Sequence, residues 1–215
     1  MNVNCKKVLI LAPHTDDGEL GCGATIAKLL RQGSEVFYVA FSSCRDSLPE
    51  GAAPDLLIRE MHRATAALGI PEDNTRVLDF RVRHFAESRQ DILDSMIALG
   101  RELHPDLVFM PSRHDIHQDH AVIAAEGMRA FKKTTILQYE APWNNFSFDN
   151  QLFNRVEESD VAAKVRAIAC YDSQAGRDYT KEEFIRGLLL THGVQIGVPF
   201  AEVFEIPRMV WEDTQ

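Results

Sequence analysis

The sequence from residue 7 to residue 33 reads KVLILAPHTDDGELGCGATIAKLLRQG and joins an apolar run, an acidic loop and a helical pattern. The run KVLIL at 7–11 is typical of a strand that is covered on both faces of a parallel sheet. The segment at 24–33 has helical apolar spacing and ends at Gly33, a residue type that commonly terminates helices. This stretch therefore predicts the first strand–helix unit of an α/β protein.

The same alternation of strand and helix continues to about residue 140. Further strands are predicted at 34–43, 75–80, 106–112 and 134–140. Helices are predicted between them, at 56–71, 91–105 and 121–133. The pattern indicates a Rossmann-like, doubly wound and mostly parallel sheet with helices on both faces, and we expect strands 1 and 4 to be neighbours in it.

The last third of the chain reads differently and is expected to form a C-terminal elaboration. Residues 144–157 look extended and polar, 159–171 and 181–193 have helical spacing, and 201–211 resemble a final strand. No repeat, low-complexity tract or linker divides the sequence. We therefore expect one domain over residues 1–215.

Composition excludes several classes of protein. The formal charge of −9 argues against a nucleic-acid or anionic-membrane binder, because both need clustered Lys and Arg, but it is compatible with a small anionic ligand. The apolar run at 7–11 is too short for a signal peptide, and no stretch approaches a membrane span. The four cysteines form no disulfide framework, so a cytoplasmic protein is expected. A homo-oligomer is compatible with the sequence.

The acidic loop has more than one interpretation. A dinucleotide-binding loop requires G-x-G-x-x-G, and Gly21 and Gly23 supply two of its glycines, but Ile26 stands in the third place. Neighbouring carboxylates would also repel a phosphate. Alternatively, the acids stabilise a helix N-terminus, but this interpretation does not explain the adjacent His14.

A metal site uses all of these side chains. His14 and Asp17 lie three residues apart in a tight loop and could converge on one ion, with Asp16 adjacent and unligated. Catalytic zinc usually takes three protein ligands and keeps one open position, so a third ligand must come from elsewhere.

The segment RHDIHQDH, residues 113–120, is the source of that ligand. Histidines recur at every third position, among two aspartates, at His114, His117 and His120. In an open α/β sheet, ligands bind beyond the carboxyl ends of the strands where the strand order reverses, which lies between strands 1 and 4. The two His/Asp clusters follow these two strands, so we expect them to meet. A polar, solvated loop is the alternative for 113–120.

These motifs resemble those of the LmbE-like (PIG-L) family of zinc-dependent de-N-acetylases. The pattern H-x-D-D-x-E-L-G-C-G-x-T matches 14–25, and H-x-D-H matches 117–120. The segments KVRAIACYDSQ and GVQIGVPFAEVFE also resemble C-terminal segments of the family. Thr15 and Gln118 stand where the family frequently has proline, which affects the loops but no expected ligand.

The resemblance implies a residue for each role. It implies zinc, one ion per chain, bound by His14, Asp17 and His120. Asp16 is then the general base, and His117 the partner acid, oriented by Asp119. Iron or cobalt suits the same donors. Whether His117 or Asp16 protonates the leaving amine stays open.

Three further residues are candidates for contact with the substrate. Arg59 either binds an acidic or hydroxyl group or faces solvent from an amphipathic helix. Asp115 either supports a histidine or caps a helix, and Trp143 either stacks on a sugar ring or belongs to the core.

We therefore expect a hydrolase that removes the N-acetyl group from an N-acetylated amino sugar or its conjugate, giving free amine and acetate. Two alternatives remain open. One is a metal-dependent hydrolase of another small amide or ester. The other is a nucleotide-binding Rossmann module without enzyme activity.

Overall fold

The computed structural model describes residues 5–48 and 50–210, which form one seven-stranded sheet with helices on both faces. The strands are β1 (Lys7–Ala12), β2 (Glu35–Ala40), β3 (Thr75–Val77), β4 (Leu107–Pro111), β5 (Thr135–Tyr139), β6 (Leu152–Arg155) and β7 (Ala201–Arg208). The helices of the described part are α1 (Asp17–Arg31), α2 (Leu56–Leu68), α3 (Arg89–Leu103), α4 (Gln118–Ala130), α5 (Glu158–Ile168) and α6 (Glu182–Gln195).

The strand order is β3-β2-β1-β4-β5-β7-β6. The first five strands are parallel, and β1 lies between β2 and β4, which confirms the expected doubly wound α/β sheet and its switch point. The C-terminal elaboration extends this sheet, because β7 pairs antiparallel with both β5 and β6. Phe204 of β7 faces Tyr139 on one side and Leu152 on the other.

Alternate side chains of β1 enter two different hydrophobic layers, as the period of a strand requires. Val8 and Ile10 pack with α1, α2 and α5 on one face of the sheet. Leu9 and Leu11 pack with α3 and α4 on the other. Both faces of the strand are therefore buried, which explains its continuous apolar sequence. No helix in the described ranges is both long and apolar enough to cross a bilayer.

Helix α1 begins seven residues earlier than its apolar spacing predicts, at Asp17 instead of residue 24. The two parts meet at Cys22, whose φ of −144° and ψ of 23° are not helical. The amides of Ala24 and Thr25, at the start of the second part, donate to the buried Glu202 carboxylate at 3.1 and 2.6 Å. Sequence spacing located the second part, and Glu202 of β7 accepts the amides that the break at Cys22 leaves at the start of that part.

The glycines of the acidic loop serve close packing. A Cβ atom on Gly18 would overlap the Tyr38 ring, and one on Gly21 would overlap the Tyr139 ring. These glycines bring α1 against the sheet, and they are not arranged as the three-glycine fingerprint of a dinucleotide site.

Several expected elements have different ends. The strand predicted at 75–80 stops at Val77. Of the extended segment 144–157, only Leu152–Arg155 pairs as a strand. The final strand, expected to end at Trp211, ends at Arg208, and Trp211 itself lies outside the described residues.

Candidate metal centre

The two His/Asp clusters lie together at the carboxyl ends of β1 and β4. We call residues 13–17, after β1, the first loop and residues 112–120, after β4, the second loop. The ring of His14 in the first loop lies 4.8 Å from His117 and 5.2 Å from His120, measured between ring centroids. The expected meeting of the two clusters is confirmed, because adjacent parallel strands deliver both loops to the same edge.

Three donor atoms form a small triangle between the loops. His14 Nδ1 lies 3.1 Å from Asp17 Oδ2, which lies 3.2 Å from His120 Nε2. His120 Nε2 and His14 Nδ1 are 3.3 Å apart. A tetrahedral zinc ion with bonds of about 2.0–2.1 Å separates its ligand atoms by about 3.3 Å. Two imidazoles and one carboxylate at these distances fit a divalent metal ion.

Buried carboxylates hold the far nitrogen of each of the two histidines in the triangle. His14 Nε2 lies 3.0 Å from Asp119 Oδ2, and His120 Nδ1 lies 2.7 Å from Asp115 Oδ2. A ring N–H donated to each carboxylate leaves the other nitrogen, the one in the triangle, with its lone pair exposed. Such carboxylate–histidine pairs are typical of metal sites.

The Asp119 carboxylate contacts a different histidine from the one that was expected. It was expected to orient His117, but it accepts from His14 and from the backbone amides of Arg83 (2.6 Å) and Phe85 (3.3 Å). His117 receives only the backbone N–H of Asp119, at 3.2 Å. The difference arises because Asp119 lies in the first turn of α4, and its side chain points across to the first loop.

His117 is the N-cap residue of α4, and its Nδ1 accepts the Asp119 amide. Burial and the neighbouring His14 and His120 lower the pKa of His117, so the neutral ring is favoured. With Nδ1 occupied as an acceptor, the ring proton resides on Nε2. The three histidines together could hold a metal, since their nitrogens lie within 4.8 Å of one another, but the triangle with Asp17 is tighter.

Asp16 occupies the N-cap position of α1 but makes no capping bond with its side chain. Its carboxylate lines the cavity above the triangle. Burial and the adjacent Asp17 raise the pKa of Asp16 to about 6. Helix capping therefore does not account for this acid.

The electrostatics of the triangle favour a cation. Burial would lower the pKa of His14, but Asp17 and Asp119 outweigh it and raise that pKa to about 9. Burial likewise opposes the charge on His120, yet Asp17 and Asp115 raise its pKa to about 10. Without a metal, the carboxylates hold protons on both rings, and a divalent cation would take the place of these protons.

A buried network supports the first loop from behind, and it joins residues too far apart in sequence for their spacing to predict the contacts. The Tyr38 and Tyr171 hydroxyls both donate to the Thr15 carbonyl, at 3.0 and 2.6 Å, and both contact the Glu19 carboxylate. Burial raises the pKa of Glu19 to about 8, although both tyrosines act against this. The Gly18 amide also donates to Tyr38.

The triangle opens into a cavity of about 330 Å³, a volume that suits a small organic ligand. Trp143 lines it, as expected for a substrate contact, but one face of its ring is stacked on Tyr179 at 4.1 Å. Arg59 does not line it: this side chain is 58% exposed and pairs with Asp55 at 3.2 Å. The amphipathic helix α2 turns Arg59 to solvent, which was the alternative to a substrate contact.

Sequence reasoning missed several residues of the cavity wall, which stand in loops and short 3-10 helices outside the two metal motifs. They are Cys44, Arg83, Asn144, Gln174, Arg177 and Tyr179. Arg83 follows β3, so the rule that ligands bind beyond the carboxyl ends of strands could have located it.

Comparison with known proteins gives the family context. Residues 9–131 match the model of the family described as PIG-L, GlcNAc-PI de-N-acetylase. Among curated proteins, the diacetylchitobiose deacetylase of Thermococcus kodakarensis is 26% identical over 220 residues, covering 92% of this chain and 81% of that protein.

Solved structures share the fold over nearly the whole chain. The conserved protein TT1542 from Thermus thermophilus superimposes with a TM-score of 0.79 at 26% identity, covering 96% of each chain. GalB of Pseudomonas putida, a 4-carboxy-2-hydroxymuconate hydratase, has a TM-score of 0.76 at 20% identity, covering 97% of this chain and all 100% of its own. At that identity the similarity to GalB concerns the fold alone.

Proposed function

Because the chain belongs to the PIG-L family of de-N-acetylases, we propose that it hydrolyses the N-acetyl group of an N-acetylated amino sugar of the glucosamine type. The products are acetate and a free amine. The observation that carries this proposal is the triangle of His14 Nδ1, Asp17 Oδ2 and His120 Nε2, which is a donor set for one divalent ion.

We assign the metal ligands to His14, Asp17 and His120, and the ion to zinc. His117 is left out because its Nδ1 accepts a backbone N–H and its Nε2 carries the proton. A zinc ion in the triangle would polarise the acetyl carbonyl and lower the pKa of a water molecule. Asp119 and Asp115 hold the ligand rings in the required tautomers.

Asp16 is the general base. This assignment is supported by the position of Asp16, which lines the cavity beside the ligand Asp17 and whose side chain makes no capping bond. The attacking water loses a proton to Asp16 as its oxygen adds to the acetyl carbon. When the C–N bond breaks, that proton passes from Asp16 to the leaving nitrogen, which yields the amine and acetic acid. The acid then gives its remaining proton to the amine, so the released products are acetate and an ammonium group.

His117 stabilises the oxygen that gains negative charge during the addition. The donation of the Asp119 amide to Nδ1 fixes the ring so that Nε2–H is the available donor on the cavity side. A neutral donor in a partly buried site needs no reorganisation as the charge develops. The lowered pKa of His117 favours this neutral form, so Asp16 is the better carrier of the proton.

The fold by itself does not determine the reaction, since a hydratase shares it. The test therefore measures both the metal and the products. Purified protein is assayed for zinc and for acetate and primary amine released from N-acetylglucosamine derivatives. His14→Ala is compared with His62→Ala, a histidine on α2 that bonds to Thr75 and lies outside the cavity.

We expect wild type and His62→Ala to hold about one zinc per chain and to release acetate and amine in equal amounts. We expect His14→Ala to lose both the metal and the activity. Zinc retained at full stoichiometry in His14→Ala contradicts the ligand assignment. A zinc-loaded wild type that cleaves no N-acetyl sugar contradicts the proposed reaction.

A further inference from the structure

Two groups of side chains line the cavity. The first is the triangle with Asp16, and the second is a pair of arginines, Arg83 and Arg177, with the aromatic pair Trp143 and Tyr179. The hydrolysis of an acetamide, as assigned above, uses neither arginine. Their position therefore requires a separate explanation.

Arg177 is held by neutral groups. Its Nη1 donates to the Tyr179 hydroxyl, and its guanidinium carbon lies 5.7 Å from the centre of that ring. Tyr179 in turn stacks on Trp143, with an angle of 14° between the ring planes. The guanidinium has five N–H donors, so most of them are available to a ligand.

Arg83 is held in a similar way on another segment. Its Nη2 donates to the backbone carbonyl of Asp46 at 2.9 Å. The carboxylate of Asp46 instead bonds to Arg81, the arginine two residues earlier, at 2.7 Å. Within residues 5–48 and 50–210, neither Arg83 nor Arg177 has a carboxylate oxygen within the 4.0 Å of an ion pair, whereas Arg81 does.

The backbone at Arg83 is in the left-handed region, with φ of +69°. This conformation is uncommon for residues other than glycine and is strained. The bond from the Arg83 amide to Asp119 holds the turn in place. A glycine would adopt the same turn without strain, so the arginine side chain is the feature that the turn presents to the cavity.

We propose that the substrate carries an anionic group, a phosphate or a carboxylate, which Arg83 and Arg177 bind while the acetamide lies at the triangle. This inference rests on the proposed function and narrows its substrate class. A planar guanidinium matches the paired oxygens of either anion and binds them through two parallel N–H bonds. The whole chain carries a net charge of −9, so two arginines that line one cavity without a carboxylate partner among the described residues are unusual.

The test compares N-acetylated sugars that carry an anionic group with the neutral parent sugar. Acetate release by the zinc-loaded protein is measured on N-acetylglucosamine, its 1-phosphate, its 6-phosphate and N-acetylmuramic acid, which separates phosphate from carboxylate. We expect wild type to prefer at least one anionic substrate by roughly tenfold or more in kcat/KM, the effect of one hydrogen bond to a charged group.

Two variants and one control assign the preference to residues. Arg83→Gly suits the left-handed turn, so the fold is retained, and Arg177→Gln keeps a polar side chain beside Tyr179. Each should lower the preference for the anion roughly tenfold through KM, with little change in kcat, because the anion is bound equally in ground and transition states. Arg101→Gln, an exposed position on α3 outside the cavity, should change neither.

The inference is overturned if wild type cleaves neutral and anionic substrates equally, or if the two variants lower kcat on both alike. The latter would mean that the arginines only balance the charge of Asp16. If no N-acetyl sugar is cleaved, the proposed function fails, and the anion site is then tested by measuring sugar binding with calorimetry. Tighter binding of the 6-phosphate than of N-acetylglucosamine, lost in both variants, supports the anion site, and equal affinities overturn it.

Discussion

The second loop contains a series of short-range bonds between its own residues, whereas the central carbonyl of the first loop is held by two side chains from distant parts of the chain. In the second loop, the amides of His114, His117 and Asp119 each donate to the side chain two residues earlier, at 3.0, 2.8 and 3.2 Å. In the first loop, the Thr15 carbonyl accepts from Tyr38 of β2 and from Tyr171, which follows α5.

The two loops contribute different residues to the site. The first loop supplies two assigned ligands and the assigned base, while the second supplies one ligand and the carboxylates that orient both ligand histidines. Bonds between residues close in sequence close only short loops, so they form at a small cost in chain entropy. The first loop depends on a completed core, so changes far away in sequence should reach it.

The largest effect is expected at the ligand that belongs to the first loop and contacts histidines of both. Asp17→Ala removes the oxygen that lies 3.1 and 3.2 Å from the two imidazoles. We expect loss of zinc and a fall in kcat/KM of at least about a thousandfold, since several kcal/mol of transition-state stabilisation are lost. Metal analysis and acetate release measure this, with the exposed Asp94→Ala as control; full metal content in Asp17→Ala would sink the assignment.

The next effect separates chemistry from metal binding within the first loop. Asp16→Asn keeps the size of the side chain but cannot take a proton. We expect an unchanged zinc content and a fall in kcat of about 10²- to 10⁴-fold, the usual contribution of a general base. Turnover of the metal-replete variant at the wild-type rate would remove Asp16 from its role.

The two supporting acids of the second loop differ in how many segments of the chain they contact. Asp115→Asn and Asp119→Asn should each weaken zinc affinity by about 10- to 100-fold, measured by competition with a chelator. Asp119→Asn should also lower the melting temperature more, because Asp119 accepts the Arg83 and Phe85 amides as well as His14. Equal melting temperatures for the two variants would contradict the idea that Asp119 joins separate segments.

The smallest expected effect tests whether the first loop is supported from outside. Tyr171→Phe removes the hydroxyl that donates to the Thr15 carbonyl at 2.6 Å and contacts Glu19. We expect a loss of stability of about 1–2 kcal/mol and a several-fold weaker zinc affinity. The corresponding change in the second loop, Ser112→Ala, removes the acceptor of the His114 amide and the hydroxyl that donates to Glu205 of β7. Neither His114 nor Glu205 is an assigned ligand, so zinc affinity should stay closer to wild type. A reversed order of the two affinities would break the comparison.

Much of the fold was predictable from local patterns. The continuous apolar run at 7–11 indicated a strand covered on both faces, and the alternation of elements indicated the parallel order around β1. The meeting of the two His/Asp clusters followed from that order alone. The antiparallel pairing of β7 between β5 and β6 was not predictable, because pairing partners distant in sequence leave no periodic signal.

The sequence by itself determined which side chains of the two motifs are present and at which edge of the sheet they stand, because strand period and parallel connection are local properties. Only the tertiary structure decided that Asp119 reaches His14 instead of His117, that Arg59 faces solvent, and that Arg83 and Arg177 share one cavity. These outcomes depend on the directions of side chains from separate elements, which packing of the whole core sets and no spacing along the chain encodes.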